Sequence, residues 1–274
     1  MRRKLFVQSV VPAVFTQSYT GIGNLPGIPT PLGWWGLRGY TAAYSGNCIQ
    51  ISDQFFGNTQ DIGLVNHYVD VASIITWELA HGQSYVSKWY DQSGNGLDMG
   101  IGNQIPTFNQ NLLSGFPAVR FVSSTGAYLK NLTGIVQNAP YFTSWVARRI
   151  TNFSTVQEVF GTGDGVRSGF SATPNFIGMS GGGSGIAAAV DNVFHAAQLN
   201  YMSGTNSSIM VDGTTTTGLN VFPINMTSQI AIGGPGFAQD LDAEVCEVGV
   251  WGGDQSANFS AINTNQHGSS GYNF

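Results

Sequence analysis

The segment Lys88-Trp89-Tyr90-Asp91-Gln92-Ser93-Gly94-Asn95-Gly96 constrains the fold more than any other. Trp and Tyr favour a pleated, half-buried strand surface. Asp, Ser and Asn bond their own backbone just downstream, and Gly94 and Gly96 can take positive φ. A strand therefore runs straight into a polar turn whose backbone is fixed by Asp91, Ser93, Gly94, Asn95 and Gly96. From Trp34 onward, short strands alternate with turn clusters at the spacing of a sandwich. Strands are expected over 85–90, 117–122, 141–149, 156–161, 168–172, 207–212, 228–232 and 243–251, with 178–185 as a glycine-rich edge loop and 214–217 as a β-rich edge or hairpin tip. One helix is expected from the N-cap Asp70 to the stop at Gly82, with Val71, Ile75 and Leu79 aligned and Ile74 beside them. A second short helix starts near Ser256 and turns Phe259 and Ile262 inward.

The signature segment resembles the Trp-Tyr-Asp-Gln-Ser-Gly-x-Gly motif of sandwich domains related to the catalytic domain of fungal α-L-arabinofuranosidase B. Those domains belong to the concanavalin A-like (laminin-G-like) fold. Tyr44-Ser45-Gly46, Cys48-Ile49-Gln50-Ile51 and Asp61-Ile62-Gly63-Leu64 upstream are similar to further strands of that family, as are Ile105–Phe108, Pro117–Phe121, Trp145–Arg149, Met210–Gly213 and Ala243–Trp251 downstream. The resemblance spans residues 35–262. It implies an all-β fold, an antiparallel two-sheet jelly-roll sandwich with one or two short helices. Domains with this motif also recur in tailed-bacteriophage particles.

Residues 1–34 lack periodicity and are rich in Gly and Pro, so they read as an extended arm or linker, with the sandwich over 35–274. Arg2, Arg3 and Lys4 precede an apolar run over 5–15 that is interrupted by Gln8, Ser9 and Pro12. That start reads either as a signal peptide or as an arm that docks on another protein. No apolar run reaches the 18 or so residues of a membrane span. The net charge is −5, which argues against nucleic-acid binding. Charged residues are only 9%, against about 25% in ordinary globular chains. Such a surface suits tight-turned β structure or a chain covered by neighbours in a homo-oligomer or symmetric shell. Cys48 and Cys246 lack metal-ligand spacing, and two readings stand: a disulfide between strands near the two ends of the domain, or two buried thiols.

Glycoside hydrolysis uses two carboxyl groups flanking the scissile bond. Here Glu158 and Asp164 are the one couple placed near each other across a turn. Glu78 is expected on a solvated helix face, and Glu244 and Glu247, three apart, on opposite sides of a strand. In the arabinofuranosidase family the nucleophile is a Glu where this chain reads Ser171–Gly178, and the acid an Asp where it reads Gly233-Gly234-Pro235. The resemblance therefore implies that both family carboxylates are missing. Asp240, Asp242 and Glu244 alternate toward the last strand and form either a Ca²⁺ site or a solvated acidic edge. For sugar binding, the doublets Trp34-Trp35 and Phe55-Phe56 stand out, because in a strand one ring of each should face outward.

These features rank three functions. The first is a non-enzymatic virion-associated structural or adsorption protein, a capsid decoration, head-fibre or tail component. Its N-terminal arm would contact other virion proteins, and its lectin-like sandwich host-surface polysaccharide. The second is a secreted carbohydrate-binding module, and the third a glycoside hydrolase related to arabinofuranosidase.

Overall fold

Strand periodicity and turn chemistry place twenty strands and two α-helices among the described residues of the computed structural model. It describes residues 19–274 apart from 111–115, 152–155, 173–175, 181–183, 189–191, 222–224, 235–240 and 269–270. The first strands are β1 (Gly33–Gly36), β2 (Ile49–Ser52), β3 (Thr59–Ile62), β4 (Leu64–Val65) and β5 (Tyr68–Val69), followed by α1 (Val71–His81). Next come β6 (Tyr85–Trp89), β7 (Met99–Ile101), β8 (Thr107–Asn109), β9 (Ala118–Phe121), β10 (Leu129–Asn131) and β11 (Tyr141–Arg149). The glycine-rich middle forms β12 (Gln157–Thr162), β13 (Arg167–Phe170), β14 (Phe176–Ser180) and β15 (Ser184–Ala188). The chain closes with β16 (His195–Tyr201), β17 (Ser207–Val211), β18 (Thr214–Leu219), β19 (Ile230–Ile232), β20 (Ala243–Gly252) and α2 (Phe259–His267).

Pairing is antiparallel throughout the named strands; β4 and β5 form a two-stranded ribbon of their own, and the rest resolve into two layers. One runs β18-β17-β16-β11-β20, with β1 and β9 end to end along the far edge of β20 and β8 beyond β9. The other runs β3-β2-β6-β7-β10-β19-β12-β13-β14-β15. A single pair, Tyr85 with Thr107, links the layers. Between them lies the main core, which includes Trp35, Trp89, Trp145, Phe121, Phe160 and Val248. A further apolar layer covers the outside of the first sheet, where Ile22, Phe259 and Ile262 pack on Trp34, Phe142 and Trp251. Ile22 and Trp34 are buried there, so residues from Tyr19 on lie against the sandwich; residues 1–18 lie outside the described part.

Three expectations change. The 178–185 loop is strand at both ends, since Gly178 pairs with Gly169 and Ile186 in the β13-β14-β15 meander; glycines without side chains conceal a strand from pattern reading. In α1 the buried residues are Ile74 and Trp77, while Ile75 and Leu79 are exposed. The large Trp77 ring sets the inward face, three residues from Ile74. Asp70 caps the helix by accepting from Ser73 N, and Gly82 ends it at φ 82°. Glu78, half-buried, is not free in solvent: it accepts from Ser84 N and Oγ and from Gln110 Nε2, closing the helix exit. Both cysteines are free and buried in separate clusters.

The chain end is pinned by charge. Asp212, in the β17–β18 turn, accepts from His195 Nδ1 at 2.5 Å, His267 Nε2 at 3.1 Å and Ala196 N at 3.0 Å. Burial would raise the Asp212 carboxyl, but these bonds outweigh it and hold it at about 2. The Asp212 bond raises His267 above its ordinary 6.5, and His267 also meets the carbonyl of Phe274. A raised imidazole stabilises the fold fully below 6.5, and that gain is lost as pH climbs through its folded pKa. The lowered carboxyl works the other way: its gain is present above the ordinary 3.8 and lost as pH falls toward 2. Thermal melting followed from pH 6 to 9, a range chosen around the ordinary His value, should show a falling Tm, and His267→Gln should flatten that slope.

Candidate functional site

The motif turn is structural in its geometry. Asp91 Oδ1 accepts from Trp34 N at 3.0 Å and Ser93 N at 2.9 Å, while Oδ2 accepts from Ser93 Oγ at 2.7 Å and Leu97 N at 3.1 Å. Asn95 Nδ2 donates to the carbonyls of Pro31 and Leu32. Gly94 and Gly96 take φ of 89° and 71°. The neighbouring Gln92 bonds Gly36 O, Arg38 O and Tyr40 N. The turn therefore clamps β1 and the residues on both sides of it.

Trp34 and Trp35 are both 0% exposed, which removes them as a sugar platform. The alternation is as strand geometry dictates, with Trp35 in the main core and Trp34 on the other side. That other side is roofed by α2 and the segment around Ile22, so the ring facing away from the first core enters a second. Glu158 and Asp164 do not form a couple. Glu158 sits early in β12 and Asp164 in the turn beyond its end. Each is held by partners of its own. Thr227 N and Oγ1 donate to Asp164. Glu158 is fully buried with Arg167 Nε at 2.8 Å; burial pushes its carboxyl up to about 7 against the pull of that guanidinium.

The acidic row is neutralised by arginine. Asp242 pairs with Arg120, Glu244 with Arg148, and Asn109 donates to Glu244 at 2.9 Å. Asp240 lies outside the described residues, among which no cluster suited to a metal occurs. Glu244 and Glu247 lie on one face of β20, contrary to their spacing. A bulge at Cys246 sets Glu244 opposite Arg148 and Glu247 opposite Val146, two positions apart on β11. One inserted residue reverses the facing of every side chain beyond it.

An open polar surface occupies the outer face of the second sheet. Ile49 and Ile51 enter the core, so Gln50 points away from it. Gln50 stands opposite Asp61 on β3 and Lys88 on β6. Tyr90 OH donates to Asp61 Oδ1 at 2.6 Å, and Gln50 Nε2 to the same oxygen at 2.9 Å. Ser87 Oγ donates to Gln50 Oε1 at 3.0 Å, and Lys88 Nζ lies 5.0 Å from the centre of the Tyr90 ring. Burial first, then the bond to Asp61, raises the Tyr90 phenol well above its ordinary value. The β2–β3 turn extends this surface. Asp53 accepts from the N–H groups of Phe55, Gly57 and Asn58 and from Asn58 Nδ2, which hold its carboxyl below the usual range. Phe55 is 84% exposed and Phe56 47%. The rings thus stand on a turn already ordered, so a ligand would pay little to fix them. The aromatic doublet is readable from sequence; the Tyr90–Asp61–Gln50 group is not, because three strands assemble it.

No protein-family model matches this sequence, and no curated protein sequence matches it. Solved structures do share the fold. A GH54 α-L-arabinofuranosidase soaked with 4-nitrophenyl α-L-arabinofuranoside aligns with a TM-score of 0.68 at 14% identity, over 86% of this chain and 62% of that one. An arabinofuranosidase complexed with arabinofuranosyl-α-1,2-xylobiose gives 0.68 at 15% identity with the same coverage, and a GH54 enzyme soaked with a cyclic sulfate inhibitor gives 0.62 at 15%. The chain thus spans less than two thirds of those enzymes, and the likeness establishes the two-sheet sandwich alone.

Proposed function

We propose that this protein is a non-catalytic, carbohydrate-binding β-sandwich that serves as an adsorption component of a virus particle. The observation that supports it is the open sheet face. An aromatic ring, a carboxylate, an amide and an ammonium converge there on rigid strands, and the turn joining two of those strands carries two exposed phenyl rings. Such a face offers ring surface to sugar C–H groups and donors and acceptors to hydroxyls. The sandwich is also that of proteins solved with arabinofuranosyl ligands. The particle role is supported by the low charge and by the basic start of the chain. Residues 1–18 are the segment to delete in testing attachment, because a cut at 34 would remove the buried Ile22 and Trp34. Particles that retain the truncated protein at the full level would count against anchoring by that segment.

A glycan array followed by titration calorimetry tests the binding reading. Tyr90→Ala should weaken the best glycan about tenfold, near 1.4 kcal/mol, with the melting temperature little changed. A hydrolase remains the second reading because Glu158 is a buried carboxyl held near 7, in the range of a general acid. Release of nitrophenol from 4-nitrophenyl α-L-arabinofuranoside that disappears in Glu158→Gln would favour it; no release is expected.

A further inference from the structure

We propose that Lys88 and Lys130 form a two-ammonium cradle that selects an acidic sugar, one bearing a carboxylate or sulfate, on this sheet face. The proposal rests on the carbohydrate-binding reading and names the ligand class. After Lys4 the sequence contains two lysines, 88 and 130. The strand register brings both to Gly100: Lys88 pairs with Gly100 across β6–β7, and Gly100 with Lys130 across β7–β10. They therefore lie in one cross-strand row with Gln50 and Asp61, and they flank a position without a side chain. Two strand spacings put their Cα atoms about 9.6 Å apart, a span that two lysine side chains can close from either side.

The gap between them is open. A Cβ built on Gly100 meets nothing nearer than the Lys130 carbonyl at 4.0 Å. Among the described lysines and arginines, these two are also the cations left over. Arg38 is paired with Glu247, Arg120 with Asp242, Arg148 with Glu244 and Arg167 with Glu158, while Arg149 donates to Ser171 O. Among the described residues, neither Lys88 nor Lys130 makes an ion pair. Two carboxylates stand nearby, Asp61 and Asp98; their hydrogen bonds come from uncharged donors, Tyr90, Gln50 and Asp91 N, and leave both negative, so the two ammonium groups together must outweigh them for an acidic ligand. Lys88 holds its ammonium beside the Tyr90 ring, so one site presents a stacking surface and a cation together. That combination fits a sugar ring with an anionic substituent directed into the Gly100 gap. Lysine serves here as a point charge for an anion, with no demand for the bidentate fit that arginine makes.

The test titrates the full chain with polygalacturonate, dextran sulfate and neutral dextran and arabinan. Acidic chains should bind about tenfold tighter than neutral ones, and their affinity should fall as NaCl rises. The preferred anion, carboxylate or sulfate, is read from the two acidic arms. Lys88→Gln/Lys130→Gln should abolish that preference, and Lys130→Gln alone should reduce it while leaving neutral binding intact. Lys88→Arg/Lys130→Arg should restore most of it. Gly100→Leu fills the gap with both lysines present and should weaken acidic binding alone; its melting curve reports folding. Neutral binding with no acidic preference overturns this proposal and leaves the carbohydrate reading standing. Acidic binding unchanged in the double Gln variant also overturns it. Failure to bind any glycan overturns both.

Discussion

Glu247→Gln is expected to lower the unfolding free energy by about 3–5 kcal/mol, because it strands a charge inside the protein. Arg38 and Glu247 are both 0% exposed and meet by a two-pronged contact, Nε to Oε2 at 2.7 Å and Nη2 to Oε1 at 3.1 Å. Burial disfavours the guanidinium charge, but the Glu247 carboxylate outweighs it and raises the Arg38 pKa. A guanidinium keeps its proton even inside a protein, so Arg38 stays charged when its partner is neutralised. The carboxylate also accepts from Tyr272 OH at 3.0 Å and Gln266 Nε2 at 2.8 Å, and Arg38 Nη1 donates to Asn265 Oδ1 at 2.8 Å. Gln266 continues to Ser144 Oγ and Gln198, so the network fastens α2 and the C-terminal residues to β11, β16 and β20. Urea unfolding followed by circular dichroism measures the loss. Arg38→Met/Glu247→Leu should cost clearly less than either single change, since it removes both charges and leaves none unpaired. A Glu247→Gln midpoint equal to wild type would mean that water reaches Arg38 and the pair is not isolated from solvent.

The range over which each interaction acts decides whether the sequence reveals it. β11 occupies 141–149 as its run of aromatic and β-branched residues requires. The helix from Asp70 to Gly82 is marked by a local cap and a local stop. Each of those signals acts within a few residues. The inward face of α1 is not readable, because Ile75 and Leu79 differ from Ile74 and Trp77 only in what the rest of the fold sets against them. Trp34 lies on the outside of a sheet and is nevertheless buried, owing to a helix more than two hundred positions away. The bulge at Cys246 moves Glu247 to the face of Glu244, and no turn residue announces it. The candidate surface is concealed for the same reason. Lys88 and Lys130 are 42 positions apart and meet through β7.

Asp91→Ala should cost about 2–4 kcal/mol and should do so mainly by loosening β1 from the body of the sandwich. The carboxylate holds two buried N–H groups, Trp34 at 3.0 Å and Leu97 at 3.1 Å, in addition to Ser93 N and Oγ. Alanine leaves both buried donors without an acceptor, at about 1–3 kcal/mol each. Trp34 N lies in the strand that lines the β20 edge, so the loss reaches the junction of the two apolar layers. Asp91→Asn keeps the shape of the side chain but replaces one acceptor oxygen by a donor. It should therefore fall between wild type and Ala. Hydrogen exchange separates this effect from a general weakening. Amides of β1 and of residues 92–97 should lose protection in Asp91→Ala before those of β11 or β16 do, because the latter strands are held by ladders on both sides. Uniform loss of protection across β1, β11 and β16 would show that the motif turn sustains the whole sandwich and does not merely clamp its first strand.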